Sequence, residues 1–289
     1  MRPRRLLLTG AAGEIGRVLR PALRGAAEKL RWHDLRPIAD AAQQEEVLTG
    51  DLTVPGTADA AADGADCVVH LAGIPRETGG TPEQILATNI VGTQRMFEAA
   101  RKAGVKRFVF ASSNHVIGFY RATQAVGTDE PARPDGHYGV SKVFGEAMGR
   151  LYADKHGMEV AALRIGAFRE RPGNRRELGA WISHRDMAQL VRRCVEAPPF
   201  HFLVLYGISA NKRALWGGDA AARAHIGYAP QDDAEAFARR CPAWTSTHGS
   251  NEECGATATT QRATFGNSPS TRQPDSFSQP RPNAASQRA

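Results

Sequence analysis

Along the first two-thirds of the chain, short apolar runs alternate with longer segments whose apolar residues recur at helical spacing. The runs predict strands at Arg5–Thr9, Leu30–Asp34, Val47–Asp51, Cys67–Ala72, Phe108–Ser113 and Val160–Ile165. Several, such as Leu6-Leu7-Leu8, are apolar at consecutive positions, as expected of strands covered by helices on both faces. Thr81-Pro82-Glu83-Gln84 predicts a helix start, with a capping Thr, Pro at the first position and Gln completing a capping box. That helix is expected to reach about Lys102 and to stop at Gly104. A second is expected from Gly139 to His156, and a third from a Ser183 cap to about Glu196. His201–Tyr206 offers one further strand. The alternation predicts an α/β fold, a Rossmann-type doubly wound parallel sheet.

The pattern fails towards the C-terminus. No Leu, Ile, Val or Met follows Ile226, and from Thr245 onward the chain is mostly polar, with Phe265 and Phe277 its two isolated phenylalanines. Such a segment cannot bury enough apolar surface to offset its ordering entropy. The expected organisation is one folded unit over 1–244, with a small C-terminal substrate-binding part at about 167–240, and a disordered tail over 245–289.

Composition narrows the function classes. The 289 residues are 42% hydrophobic and 23% charged, ordinary for a globular protein. The net charge of +7 is spread along the chain without the aromatic interleaving of a single-strand binder, so no nucleic-acid partner is expected. A basic balance suits a small anionic substrate. Cys67, Cys194, Cys241 and Cys254 have neither disulfide nor zinc spacing, so two core and two peripheral thiols and no metal are expected. No apolar run approaches the ~20 residues of a membrane span. The expected location is cytoplasmic, without membrane association, and a homo-oligomer is compatible with the sequence.

The first chemical signal is Thr9-Gly10-Ala11-Ala12-Gly13-Glu14-Ile15-Gly16, between a buried strand and a helix. Gly10 suits a tight turn, Gly13 a close backbone approach to a pyrophosphate, and Gly16 close helix packing. The free N–H groups of the helix start, at Glu14 and Ile15, would face the phosphates. Asp34 closes the second strand 18 residues past Gly16, where a carboxylate binds ribose hydroxyls and repels a 2′-phosphate. NAD is therefore the expected cofactor, although Arg36 could accommodate that phosphate. Asp51-Leu52 is expected beside the adenine and Leu71-Ala72-Gly73-Ile74 beneath the nicotinamide ribose, with Ile165 also at the carboxyl edge of the sheet.

The second signal is Tyr138 and Lys142, four apart on one helix face. A strand ending in Ser113 brings a hydroxyl to the same sheet edge. A phenol with a pKa of ~10 becomes a base near neutrality only beside a positive charge. Tyr138 would take the substrate proton, Lys142 would stabilise the phenolate and bind the nicotinamide ribose, and Ser113 would hold the substrate oxygen. Together these residues resemble the Ser and Tyr-x-x-x-Lys triad of extended short-chain dehydrogenases. Asn89 matches the structural asparagine of that superfamily and is placed with the cofactor residues; a helix-surface amide is the alternative.

The stretches Phe110-Ala111-Ser112-Ser113-Asn114-His115-Val116-Ile117-Gly118 and Arg133-Pro134-Asp135-Gly136-His137-Tyr138-Gly139-Val140-Ser141-Lys142 resemble those of uronate dehydrogenases. Arg164-Ile165-Gly166, Trp181-Ile182-Ser183-His184-Arg185-Asp186 and Tyr206-Gly207-Ile208-Ser209-Ala210-Asn211 continue the match, over roughly residues 4 to 240. The resemblance implies NAD-dependent oxidation of galacturonate or glucuronate at C1 to the aldarolactone. By the family pattern Arg176 would take the substrate carboxylate, as a guanidinium fork can. Asn114 and His115 would bind sugar hydroxyls, His115 being equally readable as a backbone-bonded loop residue. Pro75-Arg76-Glu77-Thr78-Gly79-Gly80 departs from a family loop that offers a serine and the run Glu-Lys-Pro-Phe. The alternatives are a sugar-nucleotide epimerase or dehydratase, or a non-catalytic NAD-binding regulator.

Overall fold

The computed structural model describes residues 2–241. Six strands arrive in sequence: β1 (Arg5–Thr9), β2 (Lys29–Asp34), β3 (Glu46–Thr49), β4 (Cys67–His70), β5 (Arg107–Ser113) and β6 (Glu159–Ile165). The short pair β7 (Ala167–Phe168) and β8 (Trp181–Ile182) follows, then β9 (Phe202–Gly207). The main sheet has the order β3-β2-β1-β4-β5-β6-β9, every pair parallel. Chain order reverses between β1 and β4, which opens a crevice beyond the carboxyl ends of the strands.

The consecutive apolar residues of the strands divide between two cores. Leu6 and Leu8 face one side, with Leu19 of α1 (Glu14–Ala22) and Leu190 of α7 (His184–Glu196). Leu7, Val68 and Phe108 face the other, under α2 (Thr57–Ala62), α4 (Gly92–Lys102) and α5 (His137–His156). On that side Phe97 stacks on Phe108 at 4.0 Å between ring centres. Helices on both faces make the sheet doubly wound, as its apolar runs predict.

Several boundaries differ from expectation for identifiable reasons. The Thr81 capping box is present, with Gln84 N donating to Thr81 Oγ1 and Thr81 N to Gln84 Oε1. The helix is not continuous, however: α3 (Pro82–Ile85) passes through a π-helical turn, Leu86–Val91, before α4. That turn carries Asn89, whose amide is committed to distant partners. Helix α5 begins at His137 rather than Gly139 because the Glu77 carboxylate accepts from the N–H groups of His137 and Tyr138 (3.1 and 2.7 Å). The boundaries of the expected third, fourth and last strands shift by at most two residues, leaving Asp51-Leu52 and Leu71–Ile74 in loops.

After β6 the chain builds α6 (Glu177–Ala180) and, beyond β9, α8 (Ala220–Ile226), which hydropathy alone does not mark. Leu178, Trp181, Ala234 and Cys241 form a small core under this part, so Cys241 is buried with Cys67 and Cys194 rather than peripheral. Asp186, 0% exposed, accepts from Gln231 N and Asp232 N and ties the C-terminal segment to α7. The tail expected over 245–289, and Cys254 with it, lies outside the described residues. Among the described residues no helix is long and apolar enough to cross a membrane, and no group of three His, Cys, Asp or Glu is arranged to hold a metal.

Candidate active site

A cleft of about 1610 Å³ runs along the carboxyl edge of the sheet, from the loop after β2 to the segment between β7 and β8. Its first wall is the Gly-rich turn. Gly10 has φ +70° and lies so close to the next strand's exit that a Cβ would sit 2.7 Å from Ala72 N. A Cβ at Gly16 would run into the Gly10 carbonyl. At Gly13 it would meet only Gly10 O, at 3.1 Å, so that position is open on the cleft side. No side chain caps the start of α1, and its N–H groups are available to an anion. Glu14, Ile15 and Gly16 line this wall of the cleft.

Asp34 closes the adjoining corner. It is 7% exposed and accepts from Ala12 N (2.8 Å) and Arg36 N (2.9 Å). The Arg36 guanidinium donates to Ala12 O and pairs with Asp34 at 3.5 Å, so the cation that could have served a 2′-phosphate is held by the carboxylate that repels one. Asp34→Ala removes the repulsion and releases Arg36 together. The ratio of kcat/KM with NADP to that with NAD is expected to rise about tenfold or more, measured by steady-state kinetics with each cofactor.

Asp51, Leu52, Leu71, Ala72, Gly73, Ile74 and Ile165 all line the cleft. Asn89 lies behind them, outside the cleft lining. It is 2% exposed, accepts from Ile74 N (2.7 Å), and donates to Ile74 O and Ser141 Oγ (3.1 Å each). Its amide is spent holding the Gly73-Ile74 loop against α5, and so it positions groups that face the cleft.

Ser113, Asn114, His115, Tyr138, Lys142 and Arg176 come together at the other end. Ser113 ends β5 and caps the turn Asn114–Ile117 by accepting from His115 N at 3.2 Å. Lys142, 6% exposed, donates to Ala111 O at 2.8 Å, and its ammonium lies 5.5 Å from the Tyr138 ring centre. Burial pulls the lysine down to about 8. Burial pushes the Tyr138 phenol up to about 12, opposed by a hydrogen bond from Ser113 and the positive charge of Arg76. The lysine ammonium and the tyrosine ring therefore lie side by side in a site largely shut off from water. Arg176 sits at the start of α6 and faces the same space. Trp181 braces that segment, its indole donating to Arg169 O and its carbonyl accepting from Asn211.

Some groups at the site were not foreseen. His70 ends β4 with Nδ1 on Thr9 Oγ1 (2.7 Å) and Nε2 on Thr93 Oγ1 (3.2 Å), and burial pushes it down to about 3, so it is a neutral structural ring. His33 lines the cleft beside Asp34, buried and held below its ordinary pKa by burial. His70 is the last residue of β4, which flanks the switch point, and His33 is the penultimate residue of β2. Arg76 reaches from the unusual loop to Glu14 at 3.3 Å, and Phe168 stacks on His184 at 4.7 Å between ring centres. Neither contact has a sequence signal.

The sequence model of the NAD dependent epimerase/dehydratase family matches residues 6–207. The chain belongs to this family. It is 44% identical over 234 residues to the uronate dehydrogenase of Pseudomonas putida, covering 81% of this chain and 86% of that one. The crystal structure of uronate dehydrogenase from Agrobacterium tumefaciens superimposes with a TM-score of 0.80 at 45% identity, covering 86% and 93% of the two chains. A mutant of that enzyme complexed with NAD gives 0.79 at 44% identity, covering 84% and 92%. The cofactor is NAD, and the chain is an NAD-dependent dehydrogenase. This agrees with the turn, with Asp34 and with the resemblance drawn from the motifs.

Proposed function

We propose that the protein oxidises a uronic acid, galacturonate or glucuronate, at its anomeric C1 hydroxyl and releases the aldarolactone. The observation that carries this reading is a guanidinium, Arg176, lining the same cleft end as Ser113, Tyr138 and Lys142. A neutral sugar would have no use for a fork-shaped cation there, whereas a carboxylate accepts two parallel N–H bonds from it. The relatives named uronate dehydrogenase support the same substrate class.

Bound NAD would supply the acceptor for the hydride that leaves C1. Tyr138 takes the proton of the C1 hydroxyl through its phenolate oxygen, so the C1–O bond becomes a carbonyl and the ring is retained as a lactone. Lys142 stabilises that phenolate and holds the nicotinamide ribose. Ser113 hydrogen-bonds the reacting oxygen, which keeps it within reach of Tyr138. Asn114 and His115 bind sugar hydroxyls, and Arg176 sets the distance from the carboxylate to C1. The cleft's burial of Tyr138 and Lys142 excludes water from the proton path.

Arg176→Ala tests the substrate assignment. KM for galacturonate is expected to rise roughly 10- to 100-fold, the worth of charge-assisted hydrogen bonds of about 1.5–3 kcal/mol, with the Kd for NAD unchanged. An unchanged KM would remove the carboxylate from Arg176.

A further inference from the structure

His115 is tied to a carboxylate that the proposed mechanism leaves unused. Its Nδ1 lies 2.9 and 3.0 Å from the two oxygens of Asp135, and its ring meets the Tyr138 ring edge-on at 5.5 Å between centres. Asp135 is well enclosed, with 13% of its side chain exposed against 37% for His115. The segment carrying it is fastened to the turn carrying His115: Arg133 N donates to Val116 O (2.8 Å) and Phe119 N to Arg133 O (2.9 Å). Gly118 leaves the space the carboxylate fills, since a Cβ there would overlap it. The pair is thus built by two chain segments whose backbones are hydrogen-bonded to each other.

An ionised carboxylate only accepts hydrogen bonds, so Asp135 fixes the proton of a neutral His115 on Nδ1. Nε2 is then an acceptor, on a ring that lines the cleft beside Tyr138. We infer that Asp135 is a positioning residue for specificity: it holds His115 so that Nε2 accepts a hydrogen bond from the sugar hydroxyl next to the one Tyr138 deprotonates. For oxidation at C1 that neighbour is the C2 hydroxyl. The inference rests on the uronate reading for its ligand, but its geometric half concerns only this chain.

Asp135→Ala and Asp135→Asn are the variants to compare with the unaltered protein, because the Asn carbonyl still accepts from Nδ1. Nitrogen NMR of the imidazoles should find His115 in the Nδ1–H form in the unaltered protein, and mixed or reversed in Asp135→Ala. In kinetics, Asp135→Ala should lower kcat/KM for galacturonate about tenfold, one hydrogen bond's worth, with the Kd for NAD unchanged and Asp135→Asn lying between. Its effect should disappear with 2-deoxy-galacturonate, which lacks the proposed donor. His115 in the Nε2–H form in the unaltered protein would overturn the positioning role. An equal loss on the deoxy substrate, or none on galacturonate, would overturn the assignment of the C2 hydroxyl. An unaltered protein that shows the Nδ1–H form but turns over no uronate would instead overturn the uronate reading.

Discussion

Tyr138→Phe is expected to lower kcat by ~10²- to 10⁴-fold, the usual worth of a positioned general base, with NAD affinity unchanged within about twofold. The substitution removes one oxygen from a ring that is 7% exposed, so packing against His115 and α5 is kept. Because the phenol is pushed up to about 12 while Lys142 is pulled down to about 8, the first proton to leave the pair departs near the lysine's value. The active form, phenolate with ammonium, carries the same number of protons as neutral phenol with neutral amine, so it appears in that same step. Activity should therefore rise with pH through about 8 and hold. Steady-state kinetics across pH, with calorimetric binding of NAD, measure both parts. A Tyr138→Phe enzyme with more than a tenth of the original kcat would remove Tyr138 from the chemistry.

Lys142→Met should be nearly as damaging to turnover, yet not to folding. Without the ammonium the phenolate loses a stabilising charge worth ~1–3 pKa units, so activity near neutrality should fall by ~10- to 10³-fold. The pH at which activity rises should move up towards the tyrosine's own value of about 12. For stability, the lysine's folded value, about 8, lies below its ordinary 10.5, so the unfolded chain binds more protons between them. Stability contributed by this group therefore rises with pH across that window, and below it the full cost of the buried ammonium is present. That cost is about 3 kcal/mol. Methionine relieves it but leaves Ala111 O without its donor, a loss of about 1–3 kcal/mol. The two nearly cancel, so the variant should melt within a few degrees of the parent at neutral pH. A large drop in melting temperature would mean that Lys142 is chiefly structural.

How much of this was legible in the sequence depends on how local each feature is. The Gly-rich turn, Asp34, Tyr138 with Lys142, and Ser113 at a strand end are set by short-range pattern, and all of them line the cleft. The pairing of Arg36 with Asp34 could be suspected from their spacing, but its consequence needed Ala12 O, held on another element. The contacts of Asn89 were hidden for the same reason: a helical pattern cannot reveal a π turn that aims an amide at Ile74 and Ser141. The cap that Glu77 places on α5, and the contact of His115 with Asp135, join segments far apart in sequence or separated by a loop without periodicity. The C-terminal part was the least readable. Its small core around Trp181 gathers residues from α6 to Cys241 with little hydropathy signal.

The most direct test of the whole account is to follow galacturonate and glucuronate, each labelled at C1, by NMR in the presence of the protein and NAD. The C1 signal is expected to move from the ring hemiacetal to a lactone carbonyl in step with NADH formation, and the neutral sugar galactose to react far more slowly. NADH formation with an unchanged C1 signal, equal rates with galactose, or no reaction with either uronate would contradict this expectation.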